Sequence, residues 1–263
     1  MQFVDGRMPI TENQKIDLSQ YDSALKTAAA RKDRESISTK LCELFNQLIL
    51  TNDIEKTRQI IHRFIGYSKK HDSLSITLYD MEGIARTIAL RHATDKEGNS
   101  VKWKTYGSKS FIPYRIEKLP FVFTASGMAE VLLFELFEFD YFLLQSDSIV
   151  RSLAVNTHWK EIQPLLKDKL VIYLLDNDVS SQKAFKTFQT HYPKSISIDF
   201  EMMWDRDLAH GYDFRDFCNQ IAHEFEKKLS EYKRKVCSTI IVSIFLEIEK
   251  QLKTTKEVEH GCD

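Results

Sequence analysis

Six apolar or aromatic residues in succession, Leu170-Val-Ile-Tyr-Leu-Leu175, stop abruptly at Asp176-Asn177-Asp178. A strand that is apolar at every position has both faces covered, as in a parallel sheet packed under helices. The same rhythm surrounds it. Phe121–Ala125 is a short apolar strand, followed by Ser126-Gly127 and a helix from Ala129 to about Phe137. Tyr141–Leu144 and Ile196–Ile198 supply two more strands. Val179–His191 and Phe214 to about Leu229 read as helices, and a last helix runs from roughly Val236 to Leu252. Strands alternating with helices place the chain in the α/β class.

Composition narrows the alternatives. The 263 residues suit two average domains, or one α/β domain with a helical appendage. With 43% hydrophobic and 29% charged residues, the chain can bury a sizeable core, which excludes a disordered or low-complexity scaffold. Lys+Arg number 37 against 38 Asp+Glu, so any nucleic acid has to be held by a local patch and not by global charge. Cys42, Cys218, Cys237 and Cys262 are scattered without a CxxC pair and read as reduced thiols, neither a disulfide frame nor a zinc site. The first residues, MQFVDGRMPITENQ, lack a basic segment followed by an apolar one, and Val236–Leu246 is about half the length that spans a bilayer. These features predict a cytoplasmic protein with no membrane partner.

Upstream of the α/β pattern, residues 17–70 read as helical. Ala24, Leu25, Ala28 and Ala29 share one face, and Leu41, Leu44, Phe45, Leu48 and Ile49 follow at helical spacing after Ser36 or Ser38. A third helix, capped by Asn52 or Asp53, carries Ile60, Ile61, Phe64 and Ile65 and ends at Gly66 before Lys69-Lys70. From Ser73 the period becomes two. Leu74, Ile76 and Leu78, a turn at Glu82-Gly83, then Ile84, Arg86, Ile88 and Leu90 describe a hairpin. Val101–Tyr106 and Phe111–Ile116 extend it into a small antiparallel sheet.

Three acidic features fall at or just past strand ends, where open α/β sheets gather their functional groups. Asp176 and Asp178, one residue apart, point the same way and can reach one hard cation such as Mg²⁺ or Mn²⁺. Asp178 also suits a helix cap, a role that leaves Asp176 unexplained. Glu130 sits in the first turn after Gly127, where it either serves the strand end or complements the helix dipole. Asp213 and Asp216 are three apart, the spacing of a cap and its N3 partner as well as of a paired acidic site.

Together these features resemble a toprim domain, the fold shared by topoisomerases and bacterial primases, from about Leu119 to Ile221. Its first motif, an apolar strand then Glu-Gly and an acid three residues after the glycine, is matched by Ser126-Gly127-Met128-Ala129-Glu130. Asp176-Asn177-Asp178 matches the Asp-x-Asp motif, and Tyr212-Asp213-Phe214-Arg215-Asp216 matches the later acidic element. Leu78–Arg91 with Val101–Tyr106 resembles the small subdomain that precedes toprim in bacterial and phage-type primases.

The resemblance implies a toprim-like parallel sheet flanked by helices, preceded by a small antiparallel sheet and an N-terminal helical segment. The corresponding boundaries are 1–72 (helical), 73–118 (β-rich), 119–232 (toprim-like) and 233–263 (C-terminal helix and tail). It also implies metal-dependent nucleotidyl transfer on single-stranded DNA, making primers in replication of a plasmid, phage or other mobile element. In that role Glu130, Asp176 and Asp178 would be the catalytic and metal residues. Asp213 and Asp216 would act at a second metal or outside the first, with Mg²⁺ or Mn²⁺ as cofactor. Arg86, Arg91, Lys102, Lys104, Lys109 and Arg115, interleaved with Trp103, Tyr106 and Tyr114, have the composition of a single-strand groove, and equally of a solvated sheet face. Implied partners are single-stranded nucleic acid, nucleoside triphosphates and a replicative helicase or plasmid replication protein. No Cys/His cluster of zinc spacing is present, so site-specific initiation would need another device.

One departure stands out. The glutamate that ends the family's first strand is Ser126 here, and a hydroxyl supplies no carboxylate. Glu130, one helical turn on, is the residue able to restore the charge. A toprim nuclease and a decayed module that binds nucleic acid or a partner are the alternatives.

Overall fold

In the computed structural model, described over residues 56, 59–60, 63–68, 73–94, 100–117, 119–198, 200, 208–224 and 229–260, the chain builds two sheets. The first is antiparallel in the order β1 (Ile65–Ser68), β2 (Ser73–Tyr79), β3 (Ala85–Thr94), β4 (Ser100–Gly107). The second contains β5 (Tyr114–Arg115), β6 (Phe121–Ala125), β7 (Tyr141–Phe142), β8 (Leu170–Leu174) and β9 (Ser195–Ile198), in the order β5-β7-β6-β8-β9. Every pairing in it is parallel except β5 with β7. The fold is thus mixed α/β, with the expected antiparallel sheet ahead of a mostly parallel one.

Strand alternation explains how one sheet serves two cores. Val122, Val171 and Tyr173 join Phe142 and Leu144 in a cluster covered by α2 (Asp147–Val150), α3 (Thr157–Ile162) and α4 (Val179–His191). Their neighbours Phe123, Ala125, Ile172 and Leu174 face the other way, onto α1 (Glu130–Phe137), α5 (Phe214–Glu224) and α6 (Leu229–His260). Leu74, Ile76 and Leu78 of the first sheet complete that second cluster. Stacked rings fasten it: Phe134 lies 5.3 Å from Tyr141 and 5.8 Å from Phe214, centroid to centroid. No helix of the described residues is long and apolar enough to cross a membrane.

Two local expectations differ from the structure. The helix expected to end at Gly66 instead stops at Phe64, and Ile65 and Gly66 lie in β1, paired with Ile76 and Ser75. Ile65 is β-branched, and the edge of β2 offers it ladder hydrogen bonds that a last helical turn would not supply. Phe111–Ile116, expected in the antiparallel sheet, supplies β5, which pairs with β7 in the other sheet. The pull is side-chain chemistry: Arg115 donates to Glu135 Oε2 (2.9 Å) and to the Phe139 carbonyl (2.8 Å). The helices expected before residue 56, Asn52, Asp53, Lys69, Lys70, Cys42 and Cys262 lie outside the described residues. Cys218 is buried, Cys237 is half-buried, and neither is in a disulfide.

Candidate functional site

The carboxyl ends of β6, β7 and β8 lie side by side, and the loops leaving them carry the candidate residues. Beyond β6, Ser126 forms a parallel bridge with Leu144, and Gly127 N–H donates to the Leu144 carbonyl at 2.9 Å. Gly127 has φ +148°, a conformation that L side chains rarely adopt. A Cβ there would come within 2.9 Å of Glu130 Cδ and closer still to Oε2. The glycine therefore does two things: it turns the chain into α1, and it leaves room for the Glu130 carboxylate to fold back over the strand end. Glu130 is buried there.

Beyond β8, the three residues of Asp-Asn-Asp divide the work. Asp178 caps α4, its Oδ1 accepting from Ser181 N–H at 2.7 Å, which is the ordinary role open to it from sequence. Asn177 is a clamp. Its N–H donates to the Tyr212 carbonyl (2.7 Å), its carbonyl accepts from Gly211 N–H (2.8 Å), and its side-chain amide reaches the Leu208 carbonyl (3.1 Å). That clamp holds the 208–212 loop against the end of β8 and delivers Asp213 to the site. Asp176 caps nothing. Burial, then the charges of Glu130, Asp213, Asp147 and Asp178, push its carboxyl up to about 8.

Asp213 and Asp216 form a reciprocal cap on α5: Asp216 N–H donates to Asp213 Oδ1 (3.0 Å) and Asp213 N–H to Asp216 Oδ2 (3.2 Å). The second oxygen of Asp213 accepts from Arg215 Nη2 at 2.9 Å. At the end of β6, Ser126 Oγ shares a 2.6 Å hydrogen bond with Tyr173 Oη. Burial holds the Tyr173 phenol well above its usual range; the Ser126 contact opposes that effect, and Asp147 and Asp176 add to it.

Asp147 was not picked out from sequence. It opens α2 just past β7; Ser180 Oγ donates to its Oδ2 at 2.9 Å, while its Oδ1 is buried without a hydrogen-bond partner. The signal was there to find, an acid following the short apolar run Tyr141–Leu144, but no spacing motif marks it.

The donor chemistry suits a hard cation: oxygen ligands, mutual repulsion and an orphaned buried carboxylate oxygen. The geometry is only partly assembled. Among the described residues, no group of three or more His, Cys, Asp or Glu side chains stands ready to hold a metal ion. Magnesium commonly takes one or two carboxylates and completes its shell with water and phosphate oxygens, so the two observations agree.

The basic candidates do not gather on one face. Arg91 pairs with Trp103 across β3 and β4, its guanidinium 5.0 Å from the indole, and Trp103 packs against the core. Lys104 and Tyr106, paired with Leu90 and Ile88, occupy the opposite face. Arg86 is engaged by Asp80, Nε to Oδ2 at 2.6 Å. Arg115 is held by Glu135, Tyr114 is half-buried, and Lys109 is exposed. The Lys102 side chain lies outside those described.

The sequence matches no protein-family profile and no curated protein sequence. Solved structures do match. The primase fragment of the bacteriophage T7 primase-helicase protein is 16% identical with a TM-score of 0.44, over 64% of this chain and 68% of that one. The Escherichia coli primase catalytic core is 11% identical with a TM-score of 0.46, over 89% and 84%. The zinc-binding and RNA polymerase domains of the Aquifex aeolicus primase are 16% identical with a TM-score of 0.41, over 76% of this chain and 59% of that one.

Proposed function

We propose that this chain is a cytoplasmic primase-like protein that performs metal-dependent nucleotidyl transfer on single-stranded DNA, in replication of a plasmid, phage or other mobile element. One observation supports this above the rest: Glu130, Asp147, Asp176 and Asp178 all follow the carboxyl ends of the adjacent strands β6, β7 and β8. Burial and the neighbouring acids push the Asp176 carboxyl up to about 8, and a divalent cation among these carboxylates would relieve that repulsion.

On this reading Asp176 and Asp178 hold Mg²⁺ or Mn²⁺ with help from Glu130, and Asp213 and Asp216 act outside that pair. When bound, the cation neutralises the triphosphate and stabilises the leaving pyrophosphate. The chain's own groups do the positioning. Gly127 keeps Glu130 beside the strand end, Asn177 holds the 208–212 loop that carries Asp213, and the Ser126–Tyr173 hydroxyl pair borders the carboxylates. The exposed Lys109 would contribute to receiving the template strand, and a replicative helicase or plasmid replication protein would present it.

The test is incorporation of labelled nucleotide on single-stranded DNA with Mn²⁺. Wild type should yield labelled oligomers and Asp176→Asn none; unchanged incorporation in the variant would sink the assignment. A non-catalytic binding module is the second reading, favoured by Ser126, whose hydroxyl is engaged by Tyr173 where the family has a carboxylate. It expects single-strand binding without product in either protein. Cleaved template instead of new oligomers would point to a nuclease.

A further inference from the structure

Arg215 is a cation lodged inside this acidic group. Its Nη2 donates to Asp213 Oδ2 at 2.9 Å, and both side chains are largely enclosed, at 15% and 10% exposure. Asp213's other oxygen is taken by the Asp216 N–H, so both of its oxygens are committed. Phe214, the preceding residue, stacks on Phe134 of α1 and fixes the start of α5 beside the helix that carries Glu130. Burial acts to strip the guanidinium of its proton, but Asp213, Glu130 and Asp216 outweigh it and hold the proton more firmly than usual. A guanidinium so placed remains charged at every physiological pH.

We propose that Arg215 is a resident counter-ion that sets the divalent-cation affinity of the cluster, holding Asp213 out of the ligand set and offsetting the charge of Glu130. The inference rests on the cation-binding reading of the same carboxylates. A fixed positive charge held on Asp213, one of the acids whose charge acts on Asp176, repels a dication bound beside it. The exchangeable cation is thereby left to Asp176 and Asp178, and the affinity of the site is held down until nucleotide phosphates add their oxygens.

The experiment is an EPR-monitored Mn²⁺ titration of the full chain, without nucleotide, for wild type, Arg215→Gln and Arg215→Met. The methionine variant keeps the packing of the aliphatic stem, and circular dichroism checks that each protein is folded. Removing the guanidinium should tighten Mn²⁺ binding by about tenfold or more. A merely structural arginine would give the opposite result, because disordering the loop weakens any site built on it. The outcomes separate the two claims. Tighter binding in the variants supports the counter-ion, and if wild type binds Mn²⁺ only once nucleotide is added while the variants bind it without, both the counter-ion and the cation reading stand. If wild type binds and the variants bind equally or more weakly, the cation reading stands and the counter-ion is overturned. No binding by any of the three overturns the counter-ion, and binding still absent after nucleotide is added overturns the cation reading as well.

Discussion

The β2–β3 hairpin and the carboxyl edge of the parallel sheet both bury charge, and they resolve it differently. In the hairpin, the Asp80 carboxylate accepts from Ile84 N–H at 2.8 Å and from Arg86 Nε at 2.6 Å. Burial acts to raise the Asp80 carboxyl, but these two donors outweigh it and hold it below its ordinary range. At the strand ends of β6, β7 and β8, acids are brought together faster than donors, and Asp176 is driven the other way, to about 8. The lesson is that burial alone does not decide the direction of a carboxyl's shift. The balance of donors against like charges does. A site that stabilises itself, like the Asp80 turn, has nothing left to offer a ligand, whereas the repulsion left at Asp176 is what the proposed cation would relieve.

The contrast can be broken from either side. The largest effect is expected for Gly127→Ala, which adds a Cβ at positive φ against the Glu130 carboxylate. Strain plus overpacking should cost roughly 2–4 kcal/mol in denaturant unfolding. Combining it with Glu130→Ala should recover part of that loss; full additivity of the two substitutions would show that the carboxylate does not lie over the glycine.

Asp176→Asn comes next, and it should stabilise. The folded carboxyl titrates at about 8 and an unfolded aspartate near 3.9, so between those values the folded state binds more protons than the unfolded one. Stability from this group is therefore full below about pH 4 and lost as pH rises towards 8. Removing the ionisable group should add roughly 2–3 kcal/mol at pH 8, about half the linkage value of about 5 kcal/mol because the amide that replaces it stays buried among the same acids, and flatten that limb of the stability profile. Added Mn²⁺ should stabilise wild type and leave the variant unchanged, read as a shift in melting temperature.

Asp80→Asn should have the opposite sign and a smaller size. Its folded carboxyl is lowered, so its contribution is present above the unfolded value and lost as pH falls through the folded one. The variant should lose about 1–2 kcal/mol at neutral pH and nothing in strong acid, compared by urea titration at the two extremes. Smallest is Ser126→Ala, which leaves Tyr173 Oη without its 2.6 Å partner and should cost about 1 kcal/mol. If Ser126→Ala proves neutral, a water replaces the hydroxyl and the pair contributes no order to the site.

Much of this was legible because it is local. The apolar run Leu170–Leu175, the alternation from Leu74 to Leu90 and the helix from Val179 to His191 follow from periodicity over a few residues, and the structure has each of them. The cap roles of Asp178, Asp213 and Asp216 were equally visible, since a cap and its N3 partner are three residues apart. Chain order and burial pattern, then, belong to the sequence by itself: an α/β chain with acids at its strand ends and an antiparallel sheet ahead of them.

Tertiary structure alone decided which charges meet. The order β7-β6-β8 sets Asp147 and Asp176 around Ser126, although the two acids are 29 positions apart in the chain. The Asn177 clamp brings in Asp213, and with it Arg215. Strand register did the same for the cations, pairing Arg91 with Trp103 and Lys104 with Leu90. Side-chain periodicity is encoded within a segment, but electrostatic neighbourhood depends on how segments cross, and that is settled by the packing of the whole core.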